Sequence, residues 1–265
     1  MVWEGRTAEA WVRRLGLAGA EFHPVLPSTS NRARERALAG NALPWLVLAD
    51  AQTAGRGRSG RDWTSPPGAG IWCTLVLPAR DPAADALLPL RVGAALAPRL
   101  EGLARERIRL KWPNDLFLGE PGTSGKVGGV LCERFPLPGS AADSPREAVA
   151  VGVGLNVHPV TVPDRVRVAH LGLHGPLDRG TVLEAVAEAV LEAARAPSAT
   201  LSAPERARWE ARDLLRGRRV RVEGWGAPHD RGRVRGIDGA GRLLVERGSD
   251  VVPVAAGAVV PEDPI

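Results

Sequence analysis

The sequence predicts an α+β chain in two parts: a large domain of buried strands and helices, then a small all-β barrel. Three observations carry this. Runs of strand length, such as WLVLAD (45–50), GIWCTLVLP (70–78) and EAVAVGVGLNV (147–157), are too apolar to face water. Segments with helical capping signals lie between and after them. After Gly217 the texture changes to short runs, RRVRVEG, RGRVRGI, GRLLVER and DVVPVAA, separated by Gly and Asp turns, the pattern of a small barrel. A chain of 265 residues has room for such a division, expected as 1–216 and 217–265.

Taken in order, a short helix is expected over 7–18, opening at Thr7, then a strand at 21–26 and a helix over 30–39 that ends at Gly40. The strand 45–50 is followed by a long loop, 51–69, rich in Gly, Arg, Ser and Pro. After the strand 70–78, a helix falls within 84–105, its limits blurred by Pro89 and Pro98. Two short strands flank a Trp-Pro turn within 108–118. KVGGVLCER (126–134) and 147–157 are buried strands, with loops at 121–125 and 136–146. Thr181 and Glu184 form a T-x-x-E capping box before an amphipathic run through Ala194. Ser202 and Glu205 form a second box, with Pro204 in the first turn and Gly217 past the end.

Composition narrows the function. No stretch reaches the ~18 uncharged apolar residues of a membrane span, and no signal peptide is visible. Cys73 and Cys132 lack metal-ligand spacing and sit in apolar runs as buried thiols, so a reducing cytoplasm is the expected compartment. The pI near 10.3 and the charge of +5 suggest nucleic acid. However, residues 205–247 alone hold twelve arginines and seven acids, which accounts for the whole excess. Aromatic residues are 4% with no tyrosine, too few to stack bases, so DNA or RNA binding is not expected.

Rare residues point to chemistry. Thirty-three arginines stand beside two lysines, Lys111 and Lys126, one glutamine, Gln52, and four asparagines, Asn31, Asn41, Asn114 and Asn156. A chain so averse to lysine keeps one where a thin point charge is needed and a planar fork fails. These rare residues fall largely within five motifs. GRGRSGRDW (55–63) lets backbone N–H groups and guanidinium forks surround an anion, or serves as a flexible basic loop. It lacks the Gly-Lys-Ser/Thr ending of a P-loop. KWPND (111–115) groups Lys111, Asn114 and Asp115 around a proline turn, with Asp115 able to hold magnesium or orient a basic group; standing alone, the motif reads first as a turn whose Asn and Asp satisfy their own backbone. In GKVGGV (125–130) a lysine entering an apolar strand must meet an anion or snorkel to water, while Gly128 and Gly129 leave room for a flat ligand. GVGLN (152–156) ends an apolar strand on Asn156, whose amide needs partners. STSN (28–31) places hydroxyls at a helix start, either as a plain cap or as a reader of a small polar acceptor.

In this order the motifs resemble the biotin protein ligase family, over about residues 25–160, with GRGRSGRDW followed by KWPND the most specific part. The resemblance implies a mixed-sheet, class II synthetase-like (biotin–lipoate ligase) catalytic domain with a C-terminal SH3-like β-barrel. It implies ATP and biotin as substrates, Mg²⁺, a biotinyl-adenylate intermediate, and transfer to a lysine of the biotin carboxyl carrier protein of acetyl-CoA carboxylase. Ser28, Thr29, Ser30 and Gln52 would hold the ureido head of biotin. Ser30 stands where the family more often has Asn, a role Asn31 is then placed to assume. Arg56, Gly57 and Arg58 belong to the loop that closes over biotin and the phosphates, and Trp63 packs beside the ligand. Lys111, Asn114, Asp115 and Asn156 would serve ATP, with Asp115 on the metal. Lys126 would meet the biotin carboxylate and then the acyl phosphate, with Arg58 retaining the adenylate. Members occur as dimers and as monomers, so a homodimer is open. About 20 residues precede the core, fewer than the DNA-binding domain of the repressor members, so the ligase-only form is expected. Lipoate ligases and octanoyl transferases, which bind a flexible chain, would not need STSN and Gln52.

Overall fold

The computed structural model of the chain describes residues 2–120, 122–139, 146–162, 167–196, 198–223 and 231–263. Parts of the expected loops at 121–125 and 136–146, and the last residue of RRVRVEG, lie outside the described residues.

A hairpin of β1 (Val2–Trp3) and β2 (Arg6–Thr7) leads into α1 (Ala8–Leu15), β3 (Gly19–Leu26), α2 (Thr29–Leu38), β4 (Trp45–Gln52) and β5 (Gly70–Pro78). Then come α3 (Pro82–Ala86), α4 (Leu88–Ala104), β6 (Ile108–Lys111), β7 (Asp115–Leu118), β8 (Gly125–Pro136) and β9 (Glu147–Asn156). The chain continues through α5 (Arg179–Arg195), α6 (Ala203–Glu210), β10 (Arg219–Glu223), β11 (Arg231–Ile237), β12 (Leu243–Arg247), β13 (Asp250–Val254) and β14 (Ala258–Pro261).

Seven strands form one sheet in the order β3-β4-β5-β9-β8-β7-β6. The pair β3–β4 is parallel and the others antiparallel, so the sheet is mixed. The second sheet has five antiparallel strands in the order β13-β12-β11-β10-β14.

Alternation along the strands divides the large sheet into two faces. Leu46, Leu48, Ile71, Cys73, Leu75, Val151, Val153 and Leu155 join the main core with α1, α4 and α5. On the other face, Val47, Val76, Phe135, Ala148 and Ala150 pack on Ala33 and Ala37 of α2. The same face also carries Thr74, Gly152, Gly154 and Gly129. Burial pushes the Cys73 thiol up to about 12, which leaves it inert.

Helix ends follow local chemistry. The Thr7 hydroxyl caps α1 and Gly16 ends it in the left-handed region. Ser202 and Glu205 make the expected reciprocal box on α6, although the helix stops at Glu210, seven residues before Gly217. The expected box at Thr181 is corrected. α5 starts at Arg179 under Asp178, whose carboxylate accepts from the N–H and hydroxyl of Thr181. A carboxylate is the stronger acceptor for a helix N-terminus, and Glu184 is free to pair with Arg14 on α1.

Asp213 lies in the segment joining α6 to β10, which runs beside β6. One carboxylate oxygen accepts from Leu215 N–H at 2.9 Å, while the other is buried without a partner among the described residues. Burial raises its pKa from 3.8 to about 6. A raised carboxylate stabilises the fold fully below its unfolded pKa and loses that contribution as pH rises through about 6. Asp213→Asn keeps the acceptor and removes the charge. It should raise stability at pH 8 by up to about 3 kcal/mol and by little at pH 4. Thermal melts at the two pH values check this.

Candidate active site

The open part of the α2 face is built in rows across the sheet. Residues paired across strands point to the same side, so Thr74, Gly152 and Leu131 form one row and Trp72, Gly154, Gly129 and Asp115 the next. Glycines occupy the middle of both rows, which makes a shallow floor between a polar end and a charged end.

The polar end lies at the start of α2. Ser28, Thr29 and Ser30 are all buried. Gln52 accepts from the Thr29 N–H at 2.9 Å and the Thr29 hydroxyl at 3.1 Å, and its amide donates to the Ser65 hydroxyl at 2.8 Å. The Thr29 and Ser30 hydroxyls lie 2.9 and 3.3 Å from that of Thr74. Ser28 makes no side-chain cap, so this is not a plain N-cap. Asn31 is exposed on the outer side of the helix and does not join the group. It is Ser30 that reaches Thr74, because one residue of helix turns the side chain by about 100°.

At the charged end Lys126 pairs with Asp115 at 2.8 Å and lies 5.1 Å from the centre of the Trp63 ring. Asp115 also acts on Arg58 and Lys111. Burial holds the pKa of Lys111 below the usual lysine value; Asp115 opposes this, and Lys126 and Arg61 add to it. Arg58 is likewise lowered by burial, opposed by Asp115 and reinforced by Arg61. Arg58, Lys111 and Lys126 thus share one carboxylate, with Arg61 close enough to act on the first two. That excess of positive charge, half-buried at Arg58, Lys111 and Lys126, favours an anionic ligand.

Residues 55–63 form a flap over this floor. Trp63 N–H donates to Gly55 O at 2.9 Å and Gly57 N–H to Arg61 O at 2.7 Å, with Arg56 and Asp62 facing each other between them. Gly55 is required because a Cβ there would meet the Trp63 carbonyl. Arg56 donates to Glu133 on β8 at 2.8 Å, and Arg58 donates to the side-chain amide oxygen of Asn114 at 3.4 Å. Trp63 lies on the floor, its indole N–H without a hydrogen-bond partner among the described residues.

Two asparagines brace the site. Asn114 donates to Val130 O at 2.9 Å and so ties the KWPND turn to β8. Asn156 donates to Ala169 O at 3.1 Å, holding the segment that pairs with Lys126 through Lys126 N–H to Arg167 O and Ala169 N–H to Lys126 O. One glycine expectation is corrected. Gly129 faces the floor beside Asp115 and Trp63, but Gly128 faces away and makes room for Leu155. Regular pairing with β9 sets this facing, and a bulge between Leu116 and Phe117 then places Lys126 opposite Phe117. Sequence reasoning missed Thr74, Ser65 and Glu133. For Thr74 a signal existed, as the single hydroxyl within GIWCTLVLP.

Among the described residues no group of three or more His, Cys, Asp or Glu is placed to enclose a metal. Asp115 is the carboxylate within the cation cluster, which fits magnesium bound through one carboxylate and substrate phosphates.

The chain matches the family described as Biotin/lipoate A/B protein ligase over residues 22–156 and the Biotin protein ligase C terminal domain over residues 216–260. It is 31% identical over 246 residues to the bifunctional ligase/repressor BirA of Escherichia coli, covering 89% of this chain and 72% of that protein. It is 34% identical over 242 residues to the biotin–[acetyl-CoA-carboxylase] ligase of Mycobacterium tuberculosis, covering 88% of this chain and 85% of that protein. It superposes on the biotin protein ligase from Aquifex aeolicus in complex with biotin and ATP with a TM-score of 0.71 and 25% identity, covering 92% of this chain and 98% of that one.

Proposed function

The chain belongs to the biotin/lipoate A/B protein ligase family, and on that premise we infer that it activates biotin with ATP and transfers it to a lysine of a carrier protein. The observation that carries this reading is the division of one sheet face. An uncharged polar end at Thr29, Gln52 and Thr74 is joined by a glycine floor to a cation cluster at Lys126, Arg58 and Lys111. Biotin has the same polarity, a neutral ureido ring at one end and a carboxylate at the other.

In the first step a carboxylate oxygen of biotin bonds to the α-phosphorus of ATP, and the bond to the β-phosphate oxygen breaks to release pyrophosphate. Both reactants are anions, so much of the barrier is repulsion. Lys126, held between Asp115 and the Trp63 ring, offsets it at the carboxylate. Arg56 and Arg58 reach the phosphates from the flap, with Lys111 beneath and Asn114 fixing the turn. Magnesium bound at Asp115 would supply further charge neutralisation. In the second step the carrier amine bonds to the acyl carbon, the bond from that carbon to the phosphate oxygen breaks, AMP leaves and the amine loses a proton. The flap keeps water from the mixed anhydride between the two steps.

The acceptor on this reading is the biotin carboxyl carrier protein of acetyl-CoA carboxylase, in keeping with the mycobacterial relative's name, and the compartment is the cytoplasm. Among the described residues no helix is long and apolar enough to cross a membrane.

ATP–pyrophosphate exchange with Mg²⁺ and biotin, octanoate or lipoate in turn tests the reading. Exchange with biotin alone is expected; exchange with octanoate or lipoate instead would overturn it. A second measurement concerns the intermediate. Arg58→Gly should release biotinyl-AMP and label a bystander protein strongly but this chain weakly. Its two lysines are both engaged, Lys126 with Asp115 and Lys111 by burial. Heavy label on the chain itself, mapped by mass spectrometry, would contradict this.

A further inference from the structure

The KWPND turn is held from outside its own sheet. Its tryptophan, Trp112, is buried, and its indole N–H donates to Gly241 O at 2.9 Å, in the hairpin turn between β11 and β12 of the C-terminal sheet. Two residues earlier, Leu110 is clamped by the backbone that leads into that sheet. Its N–H donates to Arg212 O at 2.8 Å and its carbonyl accepts from Leu214 N–H at 2.9 Å. The turn carrying Lys111, Asn114 and Asp115 is therefore fixed at its entry by C-terminal contacts on two sides.

The hairpin turn is itself built to be rigid. Asp238 N–H donates to Arg242 O and Gly241 N–H to Asp238 O, while the Asp238 carboxylate accepts from the N–H and guanidinium of Arg242. Gly239 O accepts from Leu201 N–H at 2.7 Å. Gly241 has φ +74°, and a Cβ there would come within 2.6 Å of Leu90 on α4 and 2.7 Å of Leu87 just before it. The turn thus seats against the start of α4 with no room for a side chain at Gly241. An indole bond is not general in this molecule. Among the described residues Trp11 and Trp72 also donate, to Trp3 O and Pro66 O, whereas the indole nitrogens of Trp3, Trp45, Trp63 and Trp209 are buried without a partner.

We propose that Trp112 is a positioning residue through which the C-terminal sheet sets the Lys111–Asp115 turn for ATP. The proposal rests on the ligase reading above and assigns the C-terminal sheet a role in the first half-reaction. Trp112 touches no substrate. Its bond fixes the point from which Lys111 and Asp115 leave the sheet, and a small displacement there moves both charged groups together. Biotin's polar end, at Thr29, Gln52 and Thr74, is anchored elsewhere, so loss of the bond should act on ATP alone.

The test is ATP–pyrophosphate exchange by the full chain carrying Trp112→Phe, which keeps most of the ring and removes the N–H, with Gly241→Ala and the double variant beside it. The expected result is a rise of about three- to tenfold in KM for ATP, with KM for biotin within twofold of wild type and unchanged circular dichroism. The double variant should be no worse than the poorer single one, since both act through one contact. Equal changes in the two KM values, or ATP kinetics of Trp112→Phe within twofold of wild type, overturns the proposal. Should Gly241→Ala not fold, Trp112→Phe decides alone. Failure of wild type itself to exchange with biotin strikes the ligase reading, which separates the two failures.

Discussion

Lys126→Ala should lower the rate of biotin-dependent ATP–pyrophosphate exchange by roughly 10²–10³, the scale on which a single well-placed electrostatic contact acts. The lysine stands between Asp115 and the Trp63 ring. Removing it deletes a cation and also leaves a half-buried carboxylate facing incoming anions. The double variant Lys126→Ala with Asp115→Asn separates the two effects, since any recovery measures the repulsion by Asp115. Lys126→Arg should not restore the rate, because a planar fork does not fit where a thin ammonium lies against the ring. Exchange by Lys126→Ala within threefold of wild type would remove this residue from the mechanism.

Gly154→Val should cost on the order of 10²-fold in kcat/KM for biotin with the fold retained. A Cβ at this position would stand 2.6 Å from the Trp63 indole nitrogen and 2.7 Å from the adjacent ring carbon. The ring cannot remain there, and Trp63 N–H closes the flap by its bond to Gly55 O. Displacing Trp63 therefore disturbs the floor, the ring beside Lys126 and the flap together, and misplacements of about 1 Å act on this scale. Valine suits a central strand, so the sheet itself should tolerate the change. Stopped-flow tryptophan fluorescence on biotin addition and steady-state exchange give the comparison. Wild-type kinetics would show that the indole does not need the space. Gly152→Ala is a milder control, because its nearest neighbour is the Ser30 hydroxyl at 3.2 Å.

The parts of this site that were legible in the sequence share a property. Gln52, Lys111, Asn114, Asp115 and Lys126 are rare or charged residues in glycine-rich or proline-turn surroundings, and local chemistry alone marks them. Thr74 was less visible, since a threonine in a strand is common and its meeting with Thr29 and Ser30 spans more than forty residues. Glu133 was hidden for the same reason, its partner Arg56 lying 77 residues away. Asn31 shows the opposite error. Its amide fits the expected chemistry, yet the helical period carries it to the solvent side.

By itself the sequence determined the kinds of element and the stock of chemical groups. Apolar runs of strand length, proline turns and the Ser202–Glu205 cap act within a few residues, so they can be read in order along the chain. Tertiary structure alone decided the facing of those groups. Pairing with β9 turned Gly129 to the floor and Gly128 to Leu155, a bulge beside Phe117 brought Lys126 opposite that residue, and Asp178 displaced Thr181 as the cap of α5. The C-terminal sheet reached across to Trp112. The physical reason is that side chains in a strand alternate with period two. A shift of one residue in register exchanges the two faces, and register is set by partners that the local sequence does not contain.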